Sequence, residues 1–95
     1  MSESKPDSSD SQPKIIIYSG RFCGYCTAAE RIFQSKDADY ELIKVDDDPV
    51  QFEHMMEISG RRTIPQIFID DYHVGGFDDL FALNQSGKLD ELLSA

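Results

Sequence analysis

The sequence is poor in cysteine, in positive charge and in long apolar segments. It has only two cysteines, and it has nine basic and eighteen acidic residues, which gives a net charge of −9. Two cysteines alone are too few for a closed zinc site, which needs four ligands. So acidic a surface is a poor partner for nucleic acid and for anionic membranes. No apolar run approaches the ~20 residues of a membrane-spanning helix.

The first residues, 1–13, have neither the basic start nor the apolar core of a secretory signal peptide. They are rich in serine, aspartate, lysine and proline, which predicts a disordered tail. The remaining residues, 14–95, are enough for one compact domain and not for two. We therefore expect a cytoplasmic protein, in a reducing compartment where a Cys-x-x-Cys pair is more often redox-active than structural.

The two cysteines lie close together, as Cys23-Gly24-Tyr25-Cys26. An apolar run at residues 15–18 precedes them and an amphipathic pattern follows, so the pair lies where a buried strand meets a helix. Cys23 then lies near the helix N-cap, where unpaired N–H groups and the helix dipole stabilise a thiolate. Thiols in such settings have pKa values of about 3.5–7.5 instead of about 8.5. Cys26 is expected to be more buried, so we predict that Cys23 attacks and Cys26 resolves.

Basic residues are concentrated near two special segments. Arg21 lies beside the cysteines, and Arg61-Arg62 precede a Thr-Ile-Pro segment. A local positive spot on an acidic body suits a small anionic ligand, and scattered solubilising charge explains the same residues equally well. Arg21 would also help to lower the pKa of the Cys23 thiol.

Two other uses of the cysteine pair are weaker hypotheses. A structural disulfide over so short a loop removes almost no chain entropy from the unfolded state, and nothing in the sequence indicates secretion. A zinc site would need His54 and His73 as further ligands, and their spacing matches no zinc-finger pattern. We interpret both histidines as surface or hydrogen-bonded residues.

The hydrophobic pattern predicts the element order βαβα, then ββα and a last short helix. Strands are expected at residues 14–19, 40–45, 66–69 and 72–74, and helices at about 23–36, 49–59, 77–85 and 89–93. The first two strands, joined by a helix, suggest a parallel, right-handed βαβ unit. For the second helix, Asp48-Pro49 is a strong start and Gly60 is a typical end.

Three motifs follow one another along this pattern. Cys-x-x-Cys ends the first strand, Thr63-Ile64-Pro65 precedes the third, and Gly-Gly-x-Asp-Asp at residues 75–79 follows the fourth. Together they make residues 14–95 resemble the glutaredoxin family of the thioredoxin superfamily, in its dithiol class. The resemblance implies an α/β, thioredoxin-like fold: a four-stranded mixed sheet flanked by helices on both faces. It also implies a cis peptide bond between Ile64 and Pro65.

In glutaredoxins the matched segments bind glutathione. The resemblance therefore implies a glutathione site formed by Tyr25, Thr63, Ile64, Pro65, Gly76, Phe77 and Asp78. Ile64 would offer its backbone to the cysteinyl part of glutathione, and the helix start with the Asp78 carboxylate would hold the γ-glutamyl end. Two positions depart from the family pattern: Gly20 stands where Lys is usual, and Phe52 stands closest to where Gln or Arg is usual.

The resemblance also implies the activity. It indicates a glutathione-dependent thiol–disulfide oxidoreductase that reduces protein–glutathione mixed disulfides and protein disulfides, with Cys23 as nucleophile and Cys26 as resolving thiol. The expected partners are glutathione and disulfide-containing proteins, and the enzyme is expected to be a monomer. A second hypothesis is a [2Fe–2S] carrier or sensor, a homodimer bridged by glutathione in which Cys23 binds the metal. Gly24 favours it, because some family members without Pro at that position bind such a cluster.

Overall fold

The computed structural model describes residues 13–94, which form four strands and four helices. In chain order these are β1 (Ile15–Ser19), α1 (Gly24–Ser35), β2 (Glu41–Lys44), α2 (Pro49–Ser59), β3 (Gln66–Ile69), β4 (Tyr72–Gly75), α3 (Phe77–Ser86) and α4 (Lys88–Ser94). The tail predicted for residues 1–13 lies outside the described residues, apart from Pro13. No helix in the described part of the chain is long and apolar enough to cross a membrane.

The strands form one sheet in the order β2-β1-β3-β4. β1 is parallel to β2, with Ile17 beside Leu42, and antiparallel to β3, with Ile17 beside Ile67. β4 returns antiparallel to β3, with a shift in register between Ile67 and Phe68. The mixed, four-stranded sheet that the resemblance implies is thus confirmed.

Side chains of β1 alternate between two hydrophobic cores, because successive residues of a strand point to opposite faces of the sheet. Ile17 faces the larger core, with Phe33 of α1 and Leu80 of α3. Tyr18 faces a smaller core on the other side, where Met55 of α2 is fully buried. Helices therefore cover both faces, with α2 on one and α1, α3 and α4 on the other.

The second helix has both ends that its sequence predicts. The Asp48 side chain accepts a hydrogen bond from the Gln51 backbone N–H at 3.2 Å, and Pro49 occupies the first turn. Gly60 ends the helix in the left-handed conformation, with φ +72°, which glycine adopts without a steric penalty. Local residue preferences alone were therefore enough to place this helix.

The fourth strand differs from the prediction, because it extends through Gly75, which lies beside Ile67. Gly75 has φ +114°, and the Asp79 carboxylate occupies the space that a β-carbon at this position would need. A glycine adds no hydrophobic signal to a strand pattern, so the sequence pattern ended one residue early. The other element ends differ from the predicted ones by one residue at most.

We predict that Asp48→Ala lowers the free energy of unfolding by about 1 kcal/mol, because it removes the acceptor that caps α2. The melting temperature of a domain of this size would then fall by about 4–8 °C. Asp39→Ala is the matched control, because Asp39 is exposed and makes no hydrogen bond or ion pair with another described residue. Thermal unfolding measures both variants, and equal melting temperatures would contradict the capping assignment.

Candidate active site

Three loops meet at one end of the sheet. β1 ends there at Ser19, and β3 begins there at Gln66 because the two strands are antiparallel. β4 ends there at Gly75, because it is antiparallel to β3. The Cys-x-x-Cys, Thr-Ile-Pro and Gly-Gly-x-Asp-Asp segments continue from these strand ends. Strand pairing therefore brings together motifs that lie far apart in the sequence.

The two cysteines are joined by a disulfide bond at the first turn of α1, with their Cα atoms 5.2 Å apart. Cys23 is the N-cap residue of α1, and the backbone N–H of Cys26 donates a hydrogen bond to the Cys23 Sγ at 3.2 Å. The sulfur takes the place of the side-chain oxygen that usually caps a helix. The predicted position of Cys23 is confirmed: an N–H group of the first helical turn, which has no partner within the helix, is directed at its sulfur.

The two sulfurs differ in access to solvent. Only 1% of the Cys26 surface is exposed, whereas Cys23 is partly exposed and lines a recess of about 460 Å³. Thiol–disulfide exchange requires one sulfur to approach another directly. A partner can therefore reach Cys23 from solvent, while Cys26 is accessible only to Cys23. The expected difference in depth is confirmed.

An open groove of about 250 Å³ lies next to this disulfide. Its lining contains every residue that the resemblance assigns to glutathione: Tyr25, Thr63, Ile64, Pro65, Gly76, Phe77 and Asp78. Arg61 and Asp79 complete the lining, and Cys23 lines the larger recess instead. Residues from three separate loops thus share one concave surface.

The backbone forms two walls of the groove. The Ile64–Pro65 peptide bond is cis, as the resemblance implies. Among the described residues, no hydrogen bond uses the backbone N–H or C=O of Ile64, so both groups can bind a ligand. Gly76 lies opposite, where a β-carbon would be 3.5 Å from the Pro65 carbonyl oxygen. A side chain at position 76 would therefore narrow the groove.

An aromatic pair and a helix start form the rest of the groove. The rings of Tyr25 and Phe77 are stacked, with centroids 5.8 Å apart and an interplanar angle of 28°. Asp78 is exposed in the first turn of α3, where free N–H groups and the helix dipole contribute positive charge. A carboxylate next to such N–H groups suits a ligand that carries both an ammonium and a carboxylate.

Asp79 is a groove residue that sequence reasoning missed. Its Oδ2 accepts hydrogen bonds from the Gly76 backbone N–H at 3.0 Å and from Arg61 Nη1 at 3.2 Å. Arg61 is therefore paired with the start of α3, which partly compensates the positive spot expected at Arg61-Arg62. An acidic residue three positions after an N-cap is the second half of a capping box, and this spacing could have identified Asp79.

Gln66 links the groove to the interior of the sheet, and it is fully buried. Its Nε2 donates to Thr63 Oγ1 at 3.2 Å, and its Oε1 lies 2.8 Å from His73 Nε2. Burial lowers the pKa of His73, Arg61 lowers it further, and Asp79 opposes both. The neutral ring then donates from Nε2, because an amide oxygen only accepts. The interpretation of His73 as a hydrogen-bonded residue is confirmed.

Arg21 lines the same recess as Cys23 and is also paired with two aspartates. Its side chain pairs with Asp46 at 3.2 Å and with Asp47 at 3.1 Å, and its backbone N–H donates to Asp46 at 2.9 Å. These contacts lower the pKa of Asp46, the backbone N–H most strongly, while desolvation opposes them. Two carboxylates thus partly compensate the Arg21 charge, whereas the start of α1 has its own N–H group directed at the sulfur.

Gly20, which stands where Lys is usual in the family that the sequence resembles, lies close to the side chains of Ile64 and Asp46. A β-carbon at this position would lie 2.8 Å from Ile64 Cδ1 and 3.5 Å from the Asp46 side chain. Such a contact would force the Ile64 side chain to shift. The Ile64 methyl group therefore occupies the space that a longer side chain at position 20 would use.

Known proteins are similar to this chain in sequence and in fold. The Glutaredoxin family model matches residues 15–74. A glutaredoxin of Neisseria meningitidis serogroup A is 46% identical over 81 residues, covering 84% of this chain and 95% of that protein. The solution structure of glutaredoxin from Brucella melitensis is 45% identical with a TM-score of 0.78, covering 88% of this chain and 91% of that one. The crystal structure of a buckwheat glutaredoxin–glutathione complex is 28% identical with a TM-score of 0.78, covering 85% and 76%.

These matches confirm the thioredoxin-like fold and the class of enzyme that the resemblance implies. The family match at residues 15–74 includes the Cys23–Cys26 pair and all of the sheet except Gly75. A redox-active disulfide at the start of a helix, in this fold, performs thiol–disulfide exchange. The chain belongs to the glutaredoxin family of thiol–disulfide oxidoreductases.

Proposed function

We propose that this protein uses glutathione to reduce protein–glutathione mixed disulfides and protein disulfides. One observation carries the proposal: residues of three loops line a single groove next to a disulfide whose two sulfurs differ in access. The free backbone of Ile64 and the helix start at Asp78 match the peptide groups and the zwitterionic end of glutathione. A related glutaredoxin, from buckwheat, has been solved as a complex with glutathione.

The reaction starts from the reduced dithiol. The Cys26 N–H, 3.2 Å from the Cys23 Sγ, and the α1 dipole both favour a negative charge on that sulfur. The Cys23 thiolate attacks the glutathionyl sulfur of a mixed disulfide. A Cys23–glutathione disulfide forms, the original S–S bond breaks, and the protein leaves as a thiolate that takes a proton from water.

Two routes return the enzyme to its starting state. In the first, a second glutathione thiolate attacks the glutathionyl sulfur on Cys23, which releases the Cys23 thiolate and glutathione disulfide. In the second, the Cys26 thiolate attacks the Cys23 Sγ, which breaks the Cys23–glutathione bond, releases glutathione as a thiolate and closes the internal disulfide present in this structure. Reduction of a protein disulfide needs the second route, because Cys26 must displace the protein that is bound to Cys23. Two glutathione molecules then reduce the internal disulfide to the dithiol and leave as glutathione disulfide.

The groove accommodates glutathione through the residues that the resemblance identified. The cysteinyl backbone would pair with Ile64 like an added strand, flanked by Thr63 and Pro65. The γ-glutamyl carboxylate would bind the free N–H groups at the start of α3, and its ammonium would bind the Asp78 carboxylate. Tyr25, stacked on Phe77, would cover the same ligand from the side.

We expect Cys26→Ser to retain reduction of glutathionylated peptides and to lose most reduction of protein disulfides, since only the latter needs a resolving thiol. Cys23→Ser should lose both activities, because the attacking sulfur is gone. Rates are measured with glutathione as electron donor, coupled to its regeneration by glutathione reductase. Comparable rates of the two variants on a glutathionylated peptide would contradict the assignment of the sulfurs.

We predict that Asp78→Ala weakens recognition of glutathione, because it removes the acceptor for the γ-glutamyl ammonium. A charge-assisted hydrogen bond is worth roughly 1.5–3 kcal/mol, so kcat/KM for glutathionylated substrates should fall about ten- to a hundredfold. Single-turnover rates of the reduced protein with disulfides that contain no glutathione should stay the same. The ratio of the two rates is therefore the quantity to measure.

Asp71→Ala is the matched control for Asp78→Ala. Asp71 is also an exposed aspartate, and it lies in the turn between β3 and β4, at the end of the sheet opposite the groove. Thermal unfolding of both variants separates a loss of binding from a loss of α3 stability. If a stably folded Asp78→Ala treats both kinds of disulfide with unchanged relative rates, the protein is a general thioredoxin-like reductase without a glutathione site at this groove.

A further inference from the structure

Phe22, the residue before the reactive cysteine, has an unusual conformation. Its side chain is fully exposed, at 103% of the reference surface, and its backbone φ is +55°. Bulky residues rarely adopt this left-handed conformation, because it brings the β-carbon close to a carbonyl oxygen. Full exposure also forgoes the burial through which a phenylalanine normally stabilises a fold. The backbone conformation costs free energy that burial of the side chain does not offset, and backbone outliers of this kind concentrate at functional sites.

Phe22 and the reactive Cys23 line the same recess. The recess has a volume of about 460 Å³, and Thr27 and Leu42 also line it. This recess and the groove described above have no lining residue in common. A disulfide substrate has two halves, so a half that does not occupy the groove must lie over another surface next to the same sulfur. The recess under Phe22 is such a surface.

The charges around the recess favour a neutral occupant. Arg21 is compensated by Asp46 and Asp47, and the other charged lining residues, Lys44 and Glu30, have opposite signs. What projects from this nearly balanced surface is one aromatic ring. A small thiol offers no neighbouring side chain to contact this ring, whereas a polypeptide carries side chains on both sides of its cysteine.

We propose that Phe22 and the recess that it lines form the docking surface for the polypeptide half of a disulfide substrate. The ring contacts an apolar side chain next to the substrate cysteine and thereby determines which protein disulfides react fastest. This inference adds a preference among polypeptide substrates to the proposed function. It rests on the proposed reduction of protein disulfides and not on the proposed glutathione site.

The chemistry at this surface balances without a further reactant. The Cys23 thiolate attacks one sulfur of a peptide disulfide, the S–S bond between the peptides breaks, and one peptide leaves as a thiolate that takes a proton from water. The other peptide stays bound to Cys23, with its flanking residues on Phe22. The Cys26 thiolate then attacks the Cys23 Sγ, releases the second peptide as a thiolate and closes the internal disulfide. The peptide disulfide gains the two electrons that the dithiol loses.

The test uses the pre-reduced protein in single turnovers with two disulfides that contain no glutathione. One is the disulfide of a short peptide with leucine next to its cysteine, and the other is bis(2-hydroxyethyl) disulfide. Phe22→Ala should lower the ratio of the peptide rate to the small-disulfide rate about five- to tenfold, the effect of losing a partly buried aromatic contact. Phe22→Tyr keeps the ring and should restore the ratio.

Tyr72→Ala is the matched control. Tyr72 is an exposed aromatic residue, at 49%, and it lies beside Ile69 at the opposite end of the sheet from Cys23. Its variant should leave the ratio unchanged. The inference would be overturned if Phe22→Ala changed the rates with both disulfides by the same factor. It would also be overturned if Phe22→Ala had the same effect on a peptide disulfide with serine in place of the leucine. No substrate here contains glutathione, so a failed glutathione site at Asp78 leaves this result unaffected.

A second readout separates docking from a role in the fold. Asparagine adopts the left-handed conformation more readily than phenylalanine. Phe22→Asn should therefore raise the melting temperature, while the ratio of the peptide rate to the small-disulfide rate falls as in Phe22→Ala. A lower melting temperature would show that Phe22 serves the fold, and it would overturn the inference.

Discussion

The antiparallel pairing of β1 with β3 is the constraint on which the whole site depends. Tyr18 lies beside Gln66, so the chain that leaves β1 towards Cys23 runs next to the chain that enters β3 from Pro65. In a parallel pair the Thr-Ile-Pro segment would lie at the other end of the sheet. The register is fixed because Ile17 and Ile67 are fully buried side by side, and a shift by one residue would turn either strand's side chains to the other face. Hydrophobic burial in the core thus sets the distance between the disulfide and the groove.

Ion pairs then connect the loops of the site to neighbouring helix starts. Arg21 connects the loop before Cys23 to the aspartates that precede α2, and Arg61 connects the Thr-Ile-Pro loop to Asp79 at the start of α3. The paired side chains are between 30% and 67% exposed, so each pair contributes little to stability. Their effect is geometric, since each limits the freedom of a loop that carries a functional residue. This use of the arginines also explains why the positive spot expected from the sequence is partly compensated.

Features encoded by neighbouring residues could be predicted from the sequence, and features that need a distant partner could not. Pro49 indicates the start of α2 and Gly60 indicates its end. The apolar run before Cys23 likewise places this residue between a strand and a helix. The groove residues could be predicted only through the family resemblance, which implies that the three segments meet in space. Their spacing along the sequence does not show this. The partners of Arg21 and the contact between Gly20 and Ile64 depend on tertiary packing, so no local pattern indicates them. The conformation of Phe22 is likewise set by the loop between strand and helix, against the preference of the residue itself.

The start of α1 reconciles two requirements that usually conflict. A reactive sulfur must be accessible, whereas the first N–H groups of a helix need an acceptor. Cys23 meets both, because its partly exposed Sγ accepts the Cys26 N–H. When the disulfide is reduced to a Cys23 thiolate, the acceptor becomes charged, and a hydrogen bond to a charged acceptor is stronger than one to a neutral acceptor. Reduction therefore strengthens the cap while it creates the nucleophile. A change that weakens the start of α1 should accordingly reduce the reactivity of Cys23 as well as the stability of the helix.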